Sequence, residues 1–568
     1  MLWSVVVTWQ RVRNVYKEKE KKVLSNSSPN SQVNKRMLLV LLRVLSWIRN
    51  VQDRIPIAVR IPRSWWLRKR LTQQESSQLL MGSAINKEAV AADKEPTTNG
   101  VVTDHSVVYK VYPARWLVLA VCCFLALSNA MQWISFSSLS DEVQMYYRGR
   151  PANGSMDVSL VTNQIFQFVA VFTGFGGMYI TDNKGIKTAG LLGTSLNVIG
   201  ASIRMIASIP FIESHLVRET LLHAGSFIAA SAQAFFLVLP SKIAECWFPG
   251  DQRAIANVLS FVANPAGVAL GTIVPSVLFK NYTHGNASRW MFFSFTLGME
   301  FLAFFPFILA LFVRSKLPPT PPSASSAAHQ NNIGFVKSIL QCLLNVQFFI
   351  QMTLFAFAFS LLWSLMIFLD GPLKDQGYNM AGYPTAVCAV VGTMTSLLAG
   401  HIADKTRKFK EIIRVCTVGF SCSVITLRMF LSEPTTGPLD PIVVYILCGC
   451  LGAFSIPQFP IGVELGVETT FPVMEATSSG VLVIFGSLFM FIIPFVQTYT
   501  ESMRLFYAQS WKFALDVTCG LSLISVVLSL FFLKPRYRRL ELENAKSALS
   551  PEEPVVTART AASDIEMR

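Results

Sequence analysis

Two acids one helical turn apart, Glu464 and Glu468, stand near the end of a long apolar run. The string reads Pro460-Ile-Gly462-Val-Glu464-Leu-Gly-Val-Glu468-Thr-Thr-Phe-Pro472-Val-Met-Glu475-Ala-Thr477-Ser478-Ser479-Gly480. Carboxylates four residues apart share one helix face. Acids at or near membrane depth are expensive and face a cavity or a partner. Proton coupling is one use; a latch to Arg407 or Lys408 is the other, and a place at the end of the run favours the latch. A second constellation lies early in the chain. Asn129, Gln132, Trp133 and Phe136 recur at i, i+3, i+4 and i+7, one face of a helix. A Trp face holds a quaternary ammonium by cation–π attraction, worth about 2 kcal/mol when dry. The competing role is a Trp of the interfacial aromatic belt. Nothing resembles a P-loop, a catalytic triad or a metal cluster, so no enzyme activity, metal or cofactor is expected. Most of the ten cysteines sit in apolar runs and read as small buried hydrophobes.

These residues must be positioned by membrane helices. The chain of 568 residues is 52% hydrophobic and 15% charged, with mean hydropathy +0.44. Soluble proteins carry about 25% charged residues. Apolar runs near the ~20 residues a bilayer requires fall at 116–138, 159–180, 188–208, 221–240, 254–279 and 290–313, then at 343–369, 383–402, 412–431, 441–463, 477–496 and 511–533. Between the two sets lies Arg314 to Ile339, polar and rich in Pro, Ser and Asn. The expected fold is an all-α polytopic membrane protein with twelve transmembrane helices in two six-helix bundles, passing a solute between them. The domain reading is a basic, mostly disordered cytosolic tail over 1–113, a bundle over 114–313, a hinge loop over 314–342, a second bundle over 343–533 and a tail over 534–568.

Net charge is +15, from 49 Lys and Arg against 34 Asp and Glu, and 20 of the basic residues precede or include Arg115. A positive-inside tail accounts for this charge, and no nucleic-acid motif accompanies it. Loop charge puts both termini inside. The sequons at Asn153, Asn281 and Asn286 then fall on the outer face as glycosylation acceptors, whereas that at Asn26 stays inside. Met37 to Ile48 reads as an interfacial amphipathic helix. Glu75-Ser-Ser-Gln-Leu79-Leu80 matches an acidic dileucine signal for a sorting adaptor. Met81-Gly82 lacks the Ser or Thr of a myristoylation start. The expected place is the plasma membrane, with an endolysosomal membrane open beside it.

Equivalent loops repeat. Asp182-Asn-Lys184-Gly185-Ile-Lys187 follows the second run, and Gly400-His-Ile-Ala-Asp404-Lys405-Thr-Arg407-Lys408 follows the eighth. The latter resembles the signature of the major facilitator superfamily; the former lacks its leading Gly. An Asp at a helix end, facing cations and a helix N-terminus, can latch an inner gate. Within that superfamily the string from Pro460 to Gly480 resembles the feline leukaemia virus subgroup C receptor family, solute carrier family 49. Further matches are Asn129-Ala-Met-Gln132-Trp133, Gly200-Ala-Ser-Ile-Arg204, Ser241-Lys242-Ile-Ala with Trp247-Phe248, Asn264 with Gly267, and Pro535-Arg-Tyr537-Arg-Arg. The hinge string Pro318-Pro-Thr-Pro-Pro-Ser323 is similar to the member-3 branch. The resemblance spans residues 110–542. It implies a secondary transporter of a choline- or ethanolamine-like amine, with haem export also assigned to the family. It further implies that Trp133, Gln132, Asn129, Asn264 and Trp363 meet the substrate. Asp182, Asp404, Arg407, Glu464, Glu468 and Glu475 gate or couple.

Two positions depart from the choline-handling pattern: Pro265 and Ser487 stand where those members carry Gln. The frame around a substrate hydroxyl is therefore altered. None of the six histidines lies within the middle of a run, which leaves a His-ligated haem site unsupported. A transporter-like receptor that no longer transports is the remaining alternative. Among other polar groups, Arg204 is expected to snorkel. Glu300 and Arg428 are expected to pair or line a cavity, Gln164 and Gln167 to bridge helices, and Gly267 and Gly271 to allow close packing.

Overall fold

The computed structural model describes residues 110–150, 157–250, 252–280, 286–313, 317–320, 334–378, 380, 382–432, 440–502 and 511–541. All belong to one compact unit, Tyr109–Arg568. The tail signals at Asn26, Met37 to Ile48, Leu79, Leu80 and Met81 lie outside them, as do Asn153, Asn281 and the side chain of Asn286.

Among the described residues, twelve helices are long and apolar enough to cross a membrane. They are α1 Ala114–Tyr147, α2 Val158–Lys184, α3 Ile186–Ala207, α4 His215–Trp247, α5 Arg253–Leu278, α6 Arg289–Leu311, α7 Val346–Asp375, α8 Tyr383–Thr406, α9 Phe409–Phe430, α10 Asp440–Thr470, α11 Glu475–Gln497 and α12 Trp511–Phe532. Every expected span is present. A further short helix, Phe335–Leu344, occupies the end of the expected hinge loop.

Several helices run past the hydrophobic limits because the bundle satisfies their polar ends. α4 begins at His215 rather than 221, since Arg218 donates to the carbonyls of Tyr146 and Pro210, both at 3.3 Å. Next to it Glu219 accepts from Arg148 at 3.1 Å. α1 passes a 3-10 turn at Ser137–Leu139 before reaching Tyr147. α10 breaks at Ile456 and Pro457 and resumes to Thr470, which carries Glu464 and Glu468 inside the helix.

The packing repeats with an offset of six helices. α1 lies on α5 as α7 lies on α11, α2 on α4 as α8 on α10, and α3 on α6 as α9 on α12. The two bundles meet along two seams, α2 with α11 and α5 with α8. Small residues set how closely the helices approach. A Cβ at Gly267 would collide with the Leu127 carbonyl of α1, and one at Gly480 with Met178 across the α2–α11 seam. Gly185 turns the chain between α2 and α3 with φ 88°, and Arg407, at the equivalent place after α8, is left-handed with φ 55°.

Buried charges are held within the bundles. Arg204 does not snorkel: it is 2% exposed, donates to Ser226 at 3.3 Å and lies 4.9 Å over the Phe136 ring. Its position beside aromatic rings and a hydroxyl replaces the hydration that the membrane surface would supply. Glu300 accepts from Ser202 at 2.7 Å, and Arg428 pairs with Asp516 at 2.7 Å.

Gly267→Ala is expected to lose about 1–3 kcal/mol by overpacking, seen as a lower thermal midpoint of the purified protein. At Gly176, where a Cβ meets nothing within 4 Å, the same change should leave the midpoint in place.

Candidate functional site

Halfway along the helices, where the bundles meet, lies a small chamber of about 20 Å³. Leu237, Phe261, Asn264, Pro265, Phe355, Phe359, Phe459 and Val483 line it. Its size is that of a single water, so a larger guest requires the bundles to move. Phe355 and Phe359 stack with planes 4° apart and centroids 6.3 Å apart. Phe459 stands edge-on to both, at 6.1 and 5.4 Å. The lining carries no ionised group. Among the described residues, nothing hydrogen-bonds the Asn264 amide. Pockets of this kind hold apolar or cationic guests by surface, with a few polar groups for orientation.

The aromatic face continues along α7. Phe355, Phe359 and Trp363 recur every four residues, so Trp363 lies about 12 Å beyond Phe355. There it meets Trp133 of α1 edge-on, centroids 6.0 Å apart, and both indoles are buried. This Trp pair caps the chamber on one side and is not part of its wall. Neither Asn129 nor Gln132 faces the chamber. Both donate to Asn197 Oδ1 of α3, at 2.8 and 3.0 Å, and Asn129 also reaches the Ala229 carbonyl at 2.8 Å. On α2, the Gln164 amide makes no hydrogen bond among the described residues, so it does not bridge helices here.

On the opposite side, the face that carries the α6–α7 connection, polar contacts join the bundles. Asp404 of α8 accepts from the Ile255 amide of α5 at 2.9 Å. Asp182 of α2 accepts from Thr477 of α11 at 2.7 Å. Arg407 donates to the Gly250 carbonyl at 2.9 Å, and Ser241 meets Ser479 at 2.7 Å. Asn257 of α5 donates to Glu464 of α10 at 2.6 Å. Lys242 lies 2.8 Å from Glu245 and 3.7 Å from Asp182.

The cation beside Glu464 and Glu468 is neither Arg407 nor Lys408. It is Arg539, from the segment after α12. Its Nε donates to Glu468 at 2.9 Å, its Nη2 donates to Glu464, and Glu475 lies 4.0 Å from its Nη1. The Leu540 amide closes the group on Glu468 at 3.1 Å. All four charged side chains are buried. The Pro535-Arg-Tyr537-Arg-Arg string was visible in the sequence, but nothing in it shows that the chain turns back. The phenylalanines had a signal, the four-residue recurrence on α7, hidden among 42 Phe.

Among the described residues, twelve membrane-spanning helices in two bundles around a central chamber are the architecture of a solute transporter. A family model described as Major Facilitator Superfamily matches residues 118–494. "Solute carrier family 49 member A3" of Xenopus tropicalis is 30% identical over 77% of this chain and 90% of that protein. "Choline/ethanolamine transporter FLVCR1" of Felis catus is 29% identical over 66% of each. The solved proton:xylose symporter XylE aligns with TM-score 0.58 over 76% of this chain and 98% of that one, at 14% identity, which shows the fold alone. The chain belongs to the major facilitator superfamily and, within it, to solute carrier family 49.

Removing the acceptor in Asp404→Ala should speed exchange of the Ile255 amide roughly ten- to hundredfold, as for loss of a hydrogen bond to a charged group. Hydrogen-exchange mass spectrometry reads this, and an unchanged rate would show that the contact does not hold the seam.

Proposed function

We propose that this protein carries a small organic cation of the choline or ethanolamine type across the membrane, opening the chamber alternately to either side. One observation carries the reading: a chamber walled by Phe261, Phe355, Phe359 and Phe459, with Asn264 as its polar group and no carboxylate. A quaternary ammonium is weakly hydrated and binds aromatic faces without a counter-ion. A hydroxyl on the same guest can take the Asn264 amide. The family relatives named as choline/ethanolamine transporters support the same substrate class.

Pro265 lines the chamber, and the buried Ser487 hydroxyl makes no hydrogen bond among the described residues. These are the two departures from the choline-handling pattern, and they leave a less polar frame. Discrimination against cations that lack the hydroxyl is therefore weaker here, because few polar groups are left unpaired by such a guest. Haem has no comparable support: the lining offers no His, Cys or Tyr.

In this reading the face bearing Asp182, Asp404, Glu464, Glu468 and Glu475 is cytosolic and forms the inner gate, and the Trp133–Trp363 pair forms the outer one. Both termini are cytosolic, Asn153, Asn281 and Asn286 carry glycans outside, and Leu79 and Leu80 offer a sorting signal.

Cells expressing the protein should take up labelled choline and ethanolamine. Phe459→Ala should lower uptake at least tenfold at equal surface expression, in line with the ~2 kcal/mol of a dry cation–π contact, and Trp133→Ala should lower it by removing one ring of the outer closure. Absence of uptake by correctly delivered wild type would overturn the substrate class. Uptake retained in Phe459→Ala would remove the chamber from the path.

A further inference from the structure

The chain leaves α12 without regular structure from Leu533 to Tyr537 and turns helical at Arg538, and its side chains divide into two sets. One set turns into the protein. Leu533 is buried. Tyr537 packs edge-on to Phe409 at 5.9 Å, and its hydroxyl accepts from the Lys410 amide at 3.2 Å. Arg539 follows into the acidic pocket, 4% exposed. The other set is Lys534, Arg536 and Arg538, all exposed. Among the described residues these three make no ion pair. They begin two residues past Phe532, where the membrane-crossing helix ends.

We propose that this segment is a strap that binds anionic lipid headgroups through Lys534, Arg536 and Arg538, and thereby keeps Arg539 in its pocket and the seam at this face closed. The proposal rests on the reading above that this face is cytosolic, where membrane leaflets carry anionic lipid. Arg539 pairs with acids of the second bundle and acts on the seam through Glu464. It fixes one oxygen of Glu464 while the other accepts from Asn257 of the first bundle. Without Arg539, Glu464 and Glu468 are buried carboxylates lacking this cation, and such charges favour any arrangement that hydrates them. Parting the seam does so. A lipid surface that binds only the docked strap shifts the balance toward the closed seam by its differential affinity. The shift is roughly fivefold per cation at most.

The test is hydrogen exchange of the full chain in nanodiscs of phosphatidylcholine alone or with phosphatidylserine. Two regions are followed, residues 534–541 and the start of α5 around Asn257. Phosphatidylserine should slow exchange severalfold in both. The triple change Lys534→Gln, Arg536→Gln and Arg538→Gln should remove the difference between lipids. Arg539→Gln should speed exchange around Asn257 in either lipid. Adding Glu464→Gln and Glu468→Gln to it should restore protection, an outcome that mere loss of packing would not give. Equal exchange of the wild type in both lipids would overturn the proposal. So would equal protection by free inorganic phosphate in neutral nanodiscs, which would assign the cations to a soluble anion. No transported solute enters the measurement, so a failure of choline uptake leaves this result independent.

Discussion

The structure depends on one constraint: a carboxylate withdrawn from water must meet a cation or a donor. Asp182, Glu245, Glu464, Glu468 and Glu475 crowd one end of the bundles, and Lys242 and Arg539 are placed among them. Such groups add little net stability when paired, because desolvation offsets much of the attraction. They are costly when a partner leaves. That combination suits a seam with two arrangements, one dry and paired, the other wet and separate. An apolar seam of the same area would have no comparable wet alternative.

The chamber is built on the opposite logic. Its wall has no charge, and its aromatic faces attract a cation only after the cation has lost water. A guest held this way leaves without breaking an ion pair, so binding and release stay close in free energy. The Trp133–Trp363 closure above it is likewise uncharged. The two sides of the chamber therefore differ in kind. One is closed by rings, whose loss exposes apolar surface; the other by hydrogen bonds and ion pairs, whose loss exposes groups that water solvates well. Any solute gradient acts on a molecule that is asymmetric in this respect despite its repeated packing.

The spans were legible because hydropathy reports what lipid requires, and the hinge between two blocks was legible because polar, Pro-rich sequence cannot cross a bilayer. The misjudged limits have a common cause. At Arg218, Glu219, Glu464 and Glu468 a charge ended the apolar run, while the folded bundle supplied a partner far away in sequence. Asn129 and Gln132 were read correctly as one helix face, but a face says nothing of which neighbour it meets. Asn197 took it. Asn264 was reached by resemblance and lines the chamber; Phe355, Phe359 and Phe459 were missed, because an aromatic residue in a membrane helix is ordinary until its neighbours are known.

The two repeat loops show how a motif can decay while its geometry persists. Asp404, in the well-formed copy, accepts from the Ile255 amide in the first turn of α5. Asp182, in the copy without the leading glycine, accepts from Thr477 in the first turn of α11. Each acid thus meets the N-terminal end of the partner helix on its own seam, where the helix dipole favours negative charge. The chain leaves the helix through a positive φ at Gly185 in one copy and at Arg407 in the other, with different ψ. Thr477 gives a hydroxyl where Ile255 gives a backbone amide, and Lys242 adds a cation to the weaker copy. A chain that had lost its conformational cycle would have no reason to keep matched acids on both seams, each set to release a helix end when the bundles part. The symmetry of these contacts weighs against a receptor that no longer moves.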